Sequence, residues 1–320
     1  MAVYTHVEPD DLAALVAQYD IGTVVSCKGI AEGVENSNFL LETTRGRFIL
    51  TLYEKRVSEG DLPFFVELLD HLAKRGCPVP AMIRDREGRA IQQVSERAAC
   101  IIQFLPGISL THPTPGQCQA AGAAMGAMHR AVADFAGARE NSMGHRHWRA
   151  IAQGAGDLDA VIPGLQAIVD EELDHLDAHW PRDLPAHVVH ADLFPDNVLM
   201  LGERVTGLID FYFAASDFRA YDVAVTHASW TFSTDGSDCD IGRASALMRG
   251  YAREVALTDE EFAALPLLAR GAALRFLLTR AHDWIHTPPG ALVTRKDPAP
   301  FLARLRRYQA ADAAALFSAA

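Results

Sequence analysis

The chain has 320 residues, 49% of them apolar and 22% charged, and a formal net charge of −12 at pH 7. This is the composition of an ordinary globular protein with a sizeable core, and the acidic balance, without any basic stripe interleaved with aromatics, excludes a nonspecific grip on nucleic acid. The five cysteines, at 27, 77, 100, 118 and 239, form no CxxC pair and predict reduced thiols in a cytoplasmic protein. No basic-then-apolar leader opens the chain and no stretch approaches the ~18 uninterrupted apolar residues of a membrane span, so no membrane partner is expected.

Up to residue 104 short β-rich runs dominate. GTVVSCKGI, then NSNFLLETT and RFILTLYE joined across Arg45 and Gly46, and later AIQQV and ACIIQFL after the turn DREG, predict an antiparallel sheet. Between them DLPFFVELLDHLAKRG reads as one amphipathic helix. Asp61 stands at its N-cap, Pro63 in its first turn, Leu62, Phe65, Leu68, Leu69 and Leu72 on one face, and Gly76 at its end. Beyond LPGIS, helical patterns cover 115–134, 164–180, 258–282 and 299–318. With no repeat or long linker, the pattern predicts an α+β chain of two lobes, a β-rich 1–104 and a mainly helical 105–320, joined at QFLPG.

Within the helical half, VVHADLFPDNVLM is followed by a turn at Gly202 and then TGLIDF. A strand, loop, strand, turn, strand pattern brings Asp192, Asn197 and Asp210 to one end of a small hairpin. Phosphoryl transfer needs such a set: one aspartate to orient the attacking hydroxyl, and an asparagine with a second aspartate to hold Mg²⁺ against phosphate oxygens. Asp192 and Asn197 have the DxxxxN spacing of kinase catalytic loops, with the strand-end Asp210 in the place of the metal aspartate. Asp196 reads as a turn residue and His190 as a group that orients the loop. A hydrolase metal site on His187, His190 and Asp192 is the reading from another class. It requires a helix, whereas the preceding valines read as strand, where positions three apart face opposite ways.

HADLFPDNVL with IDFYFAASDFRAYDVA resembles the aminoglycoside phosphotransferase and choline kinase superfamily, small-molecule kinases with a protein-kinase-like fold. GIAEGVENSNFLL, FILTLYEKR, DLPFF, LPLLARGAALRFLLTRAHDW and KDP narrow the resemblance to the bacterial homoserine kinases, over nearly the whole chain. It implies a two-lobed fold, with an N-terminal antiparallel sheet lobe carrying one helix and a larger helical lobe. It also implies ATP and Mg²⁺ as cofactors and L-homoserine as the small-molecule substrate, phosphorylated on its hydroxyl. An aminoglycoside or choline is the alternative acceptor on the same fold; these demand an acidic wall or an aromatic cage.

Carried over residue by residue, Asp192 matches the catalytic aspartate, and Asn197 and Asp210 match the metal ligands. GIAEGVENSNF matches the phosphate-covering hairpin, with Gly29 and Gly33 as its glycines and Asn36, Ser37 and Asn38 as donors. The backbone of Gln103, Phe104 and Leu105 is expected to meet the adenine. An amino acid acceptor needs a cation for its carboxylate, for which Arg275 and Arg280, beside Arg270 on one predicted helix, are the candidates. An internal ion pair to Asp217 or Asp222 competes for them. Asp217 is the candidate for the ammonium, while Asp222 resembles a structural aspartate of the superfamily. The resemblance departs at the third strand, where Thr51 replaces the usual lysine or arginine, with Lys55 and Arg56 beyond it and Glu67 as the helix glutamate such a cation would pair.

Overall fold

The computed structural model describes residues 5–30, 36–54, 58–287 and 295–318. The chain divides into two compact units, one reaching to Pro106 and one starting at Gly107.

The first unit opens with α1 (Pro9–Val16), started by a proline in its first turn and two aspartates that suit a helix N-terminus. Its sheet contains β1 (Val24–Gly29), β2 (Ser37–Thr43), β3 (Gly46–Leu52), β4 (Met82–Ile83), β5 (Ile91–Val94) and β6 (Arg97–Gln103). All pair antiparallel, in the order β1-β2-β3-β6-β4 with β5 also on β6. Residues alternate between buried and half-buried along β2, the period of a strand with one covered face. That face packs Phe39 and Leu41 with Leu50, Leu52 and Ile101 against Leu12, Leu15 and Val16 of α1. α2 (Leu62–Lys74) buries all five residues of the predicted stripe, and Asp61 occupies its N-cap position without a side-chain capping bond. At two residues, β4 is too short to show any alternation, which is why sequence reading passes it over.

The second unit holds α3 (Pro115–Ala131), α4 (Trp148–Ala155), α5 (Leu165–His179), β7 (Ala186–Val189), β8 (Val198–Leu201), β9 (Arg204–Leu208), β10 (Ala215–Phe218), α6 (Arg219–Trp230), α7 (Ile241–Ala252), α8 (Asp259–His286) and α9 (Ala299–Gln309). α3 and α7 cross at glycines: a Cβ on Gly122 would lie 2.1 Å from the Leu247 carbonyl oxygen, and one on Gly250 2.0 Å from that of Gln119. α8 starts from a capping box of Thr258 and Glu261 and runs 28 residues. By length and hydropathy it could cross a membrane, yet 61% of its most apolar window is buried inside the protein. The pattern at 299–318 predicts one helix. The chain instead leaves α9 at Ala310 and resumes as a 3-10 turn over Ala313–Phe317 that buries Leu316 and Phe317.

Candidate active site

β8 and β9 form a hairpin with Val198 opposite Leu208, so Asn197, just before β8, and Asp210, just after β9, fall at the same end. The Ile209 amide donates to the Asn197 carbonyl at 3.0 Å and closes that end. Asp192 joins them through Asn197, whose Nδ2 donates to the Asp192 carbonyl at 2.8 Å and to its Oδ2 at 3.2 Å. The predicted grouping of the three therefore forms, although β7 pairs with β10 rather than with the hairpin.

The loop between β7 and β8 is held from outside. Ala191 adopts φ 63°, a left-handed conformation that a residue with a Cβ takes only when its surroundings impose it. Asp222 of α6 imposes it from one side: its Oδ2 accepts the His190 amide at 2.9 Å and its Oδ1 the Ala191 amide at 2.8 Å. His129 of α3 completes the carboxylate through Nε2 at 3.0 Å. Burial raises the Asp222 carboxyl, but the bond and charge of His129, then the charge and backbone amide of His190, outweigh it and hold the group below the usual carboxylate range. From the other side Arg275 of α8 donates to the Ala191 carbonyl. Trp230 Nε1 donates to the Leu193 carbonyl at 2.9 Å. His190 spends both ring nitrogens on the loop, Nε2 on the Ile209 carbonyl at 2.9 Å and Nδ1 on the Asp192 amide at 3.3 Å. Burial lowers its pKa, and with both ring nitrogens committed to backbone groups neither is left for a metal, which speaks against the hydrolase reading. Among the described residues no group of three His, Cys, Asp or Glu is placed to hold a metal.

The Asp192 carboxyl is pushed up to about 7, first by burial and then by Asp210 and Asp196, against the opposing pull of Arg275 and Lys296. Asp210 sits in the left-handed region at φ 65°, ψ 57°. With the Asn197 amide nitrogen spent on Asp192, its amide oxygen is the ligand-type atom that remains. Two carboxylates and an amide are hard oxygen donors, the set Mg²⁺ takes when phosphate oxygens and water complete its shell.

The predicted acceptor residues separate. Arg270 makes a forked pair with the buried Glu172 at 2.7 and 2.6 Å. Arg275 is 2% exposed, bonded to Ala191, and its guanidinium lies over the rings of Phe213 and Phe276, at 5.3 and 4.3 Å from their centres. Neither Asp217 nor Asp222 pairs with it. Asp217 accepts from Asn141 Nδ2 at 2.6 Å and from the Phe218 amide at 2.7 Å, and burial raises its carboxyl. Arg280 is half-buried and donates to the Asp297 carbonyl at 3.0 Å.

In the first unit, Gly29 ends β1 opposite Phe39, and Gly33 lies outside the described residues, as do Lys55 and Arg56. Asn36 is 2% exposed; its Oδ1 accepts the Glu54 amide at 3.2 Å, while its Nδ2 finds no acceptor among the described residues. Ser37 Oγ donates to Glu54 Oε1 at 2.7 Å. Thr51, at the position expected for a cation, is buried and donates to Asn38 Oδ1 at 2.7 Å. Glu67 is exposed on α2. The Gln103 amide donates to the Ala81 carbonyl at 2.9 Å, so strand pairing uses the first of the three expected adenine contacts and ends before Phe104 and Leu105.

A sheet unit followed by a helical unit with this hairpin is the architecture of small-molecule kinases. An amicoumacin kinase solved with AMP-PNP and Ca²⁺ superposes with a TM-score of 0.71 at 17% identity, over 94% of this chain and 92% of that one. A model of the phosphotransferase enzyme family matches residues 26–260. The homoserine kinase of Xanthobacter autotrophicus is 51% identical over 98% of each chain, and that of Nitrobacter winogradskyi 52% identical over 97% of this chain and 95% of its own. The chain belongs to the phosphotransferase enzyme family and, within it, to the homoserine kinases.

Proposed function

We propose that this protein transfers the γ-phosphate of ATP to the side-chain hydroxyl of L-homoserine, giving O-phospho-L-homoserine. The identity of about half the residues over nearly the full length of homoserine kinases carries this reading, and the Asp192, Asn197 and Asp210 grouping agrees with it chemically. Mg²⁺, when bound through Asn197 and Asp210, would neutralise the negative charge that gathers on the phosphate oxygens.

In this reading Asp192 accepts the hydrogen bond of the acceptor hydroxyl and aims its oxygen at the γ-phosphorus. A carboxyl near 7 is matched to holding or releasing a proton at neutral pH. Arg275 and Asp222 do not touch the reactants; they fix the backbone on which Asp192 stands, and in phosphoryl transfer most of the rate comes from such positioning. The unsatisfied Asn36 Nδ2, beside Ser37, supplies a donor for phosphate oxygens, and Gly29 and Gly33 belong to the same phosphate-covering hairpin in this reading. The main chain at Gln103, Phe104 and Leu105 takes the adenine, with the bonds falling to the last two because the Gln103 amide is committed to Ala81. Free cysteines throughout fit a cytoplasmic enzyme.

The test is ADP release by the purified protein with Mg·ATP and L-homoserine, choline, kanamycin, L-serine or no acceptor. Stimulation by L-homoserine well above the other arms is expected. Preference for choline or kanamycin would refute the acceptor and leave the phosphotransferase assignment intact.

A further inference from the structure

The catalytic loop is continuous with an aromatic cluster. Phe194, two residues beyond Asp192, packs edge-on to Phe276 of α8 at 4.7 Å between ring centres, and Phe276 meets Phe301 of α9 at 5.1 Å. Two guanidinium groups lie on Phe301, those of Arg280 and Arg304, each 4.5 Å from the ring centre. Arg304 is 7% exposed; among the described residues its Nε has no hydrogen-bond partner, and the bond from its Nη2 to the Ser233 carbonyl is long at 3.4 Å. Among the described residues no carboxylate pairs with either arginine. The nearby Asp196 carboxylate faces Lys296 instead, at 3.4 Å.

Two guanidinium groups on one ring, Arg304 buried and Arg280 half-buried, with no carboxylate pairing either among the described residues, form an unfavourable arrangement that a bound anion would relieve. Burial first, and Arg304 next, bring the Arg280 guanidinium down to about 10, against the opposing pull of Asp196, Asp297 and Asp192. Arg280 is also linked to the Asp192 loop through the packed rings of Phe301, Phe276 and Phe194. An anion here would therefore be near the loop that handles the hydroxyl.

We propose that Arg280 and Arg304 bind the carboxylate of the acceptor, so that the site selects a short hydroxy amino acid whose carboxylate and hydroxyl lie at opposite ends. The proposal rests on the homoserine reading and names the residues that would enforce it. Arg275 has no part in this clamp, because its guanidinium is committed to Ala191 and acts as a positioning group. The same pair of cations disfavours choline and the polycationic aminoglycosides by like-charge repulsion.

The test compares L-homoserine with 3-aminopropan-1-ol, which keeps the hydroxyl and amine and lacks the carboxylate, in the wild type and in Arg280→Gln, Arg304→Gln and Arg304→Lys. Wild type is expected to favour L-homoserine. Each glutamine variant should raise KM for L-homoserine roughly 10- to 100-fold, the range for losing a charge-assisted bond, and bring the two acceptors' kcat/KM values together. Arg304→Lys should recover part of the preference. Circular dichroism and urea titration establish folding. If Arg304→Gln fails to fold, Arg280→Gln, on a half-buried side chain, decides alone. A folded Arg280→Gln that keeps the wild-type KM for L-homoserine, or loses both acceptors in equal proportion, overturns the clamp. Wild type that ignores L-homoserine overturns the substrate reading instead. The clamp then survives only if the accepted substrate is another hydroxy acid whose turnover Arg280→Gln impairs, and falls if that substrate has no carboxylate.

Discussion

The loop around Asp192 and the polar residues at the start of β2 are both dense in hydrogen-bonding groups, and they are secured in different ways. Residues 190–193 are held by Asp222, Trp230 and Arg275, side chains from two helices some 30 to 85 positions away. Asn36, Ser37 and Asn38 are tied to Glu54 and Thr51, on and just past the neighbouring strand and within 18 positions. The first arrangement buries charge and imposes a left-handed residue, so its parts are interdependent; the second is a set of local bonds whose loss should be local. Asp192, for which the catalytic role is proposed, is thus braced by the rest of its own unit, while the donors at the start of β2, proposed to meet phosphate, need only the register of a sheet.

The largest expected effect comes from the braced loop itself. Asp192→Asn should lower kcat by about 10² to 10⁴, the usual contribution of a positioned acid–base group, with Mg·ATP affinity close to wild type. Single-turnover kinetics and nucleotide titration check this, and a variant with wild-type turnover would remove Asp192 from the chemistry. Next is Asp222→Ala, which strips acceptors from two loop amides and from His129 in a fully buried place. It should cost about 3–5 kcal/mol in urea unfolding, and the His190 and Ala191 amides should lose protection from hydrogen exchange while β2 keeps its own. Exchange that rises equally in β2 would erase the contrast between the two regions.

Acid should strike the helical unit through His227 on α6, which is fully buried, bonded to the Leu316 carbonyl at 3.0 Å, and lowered to about 4 by burial. Since the folded pKa lies below the unfolded value, the unfolded chain binds the proton first. Stability is therefore intact above about pH 6.5 and declines as pH falls toward 4, by about 3 kcal/mol at most from this group. His187, His190 and His145, all lowered chiefly by burial, act with the same sign. Urea titrations at pH 7.5 and 5.0 measure the decline, which should be smaller in His227→Gln. The smallest effect belongs to the sheet. Thr51→Val removes one bond to Asn38 and should cost about 1–2 kcal/mol, without disturbing exchange at the Asp192 loop.

Much of this arrangement can be read from local pattern. The alternation of NFLLET and the stripe of α2 specify their elements because each has one covered face. α6 escapes such reading because ten of its twelve residues are buried, which leaves no amphipathic stripe to detect. Asp192, Asn197 and Asp210 are legible because a fixed spacing and a hairpin bring them together. The partners of Arg275 and Asp217 are not, since nothing local indicates that one reaches a loop carbonyl and the other an asparagine at 141. Arg304 did leave a sign in the sequence. It falls on the stripe of Phe301, Leu305 and Tyr308, where a lone arginine among apolar residues marks a buried cation that needs an explanation.

The most direct test of the central claim is phosphorus NMR of the product formed from Mg·ATP and L-homoserine by the wild-type protein. One new phosphomonoester resonance coupled to the side-chain methylene protons of homoserine is expected, appearing together with ADP. ADP with only inorganic phosphate, or no turnover, would contradict that claim.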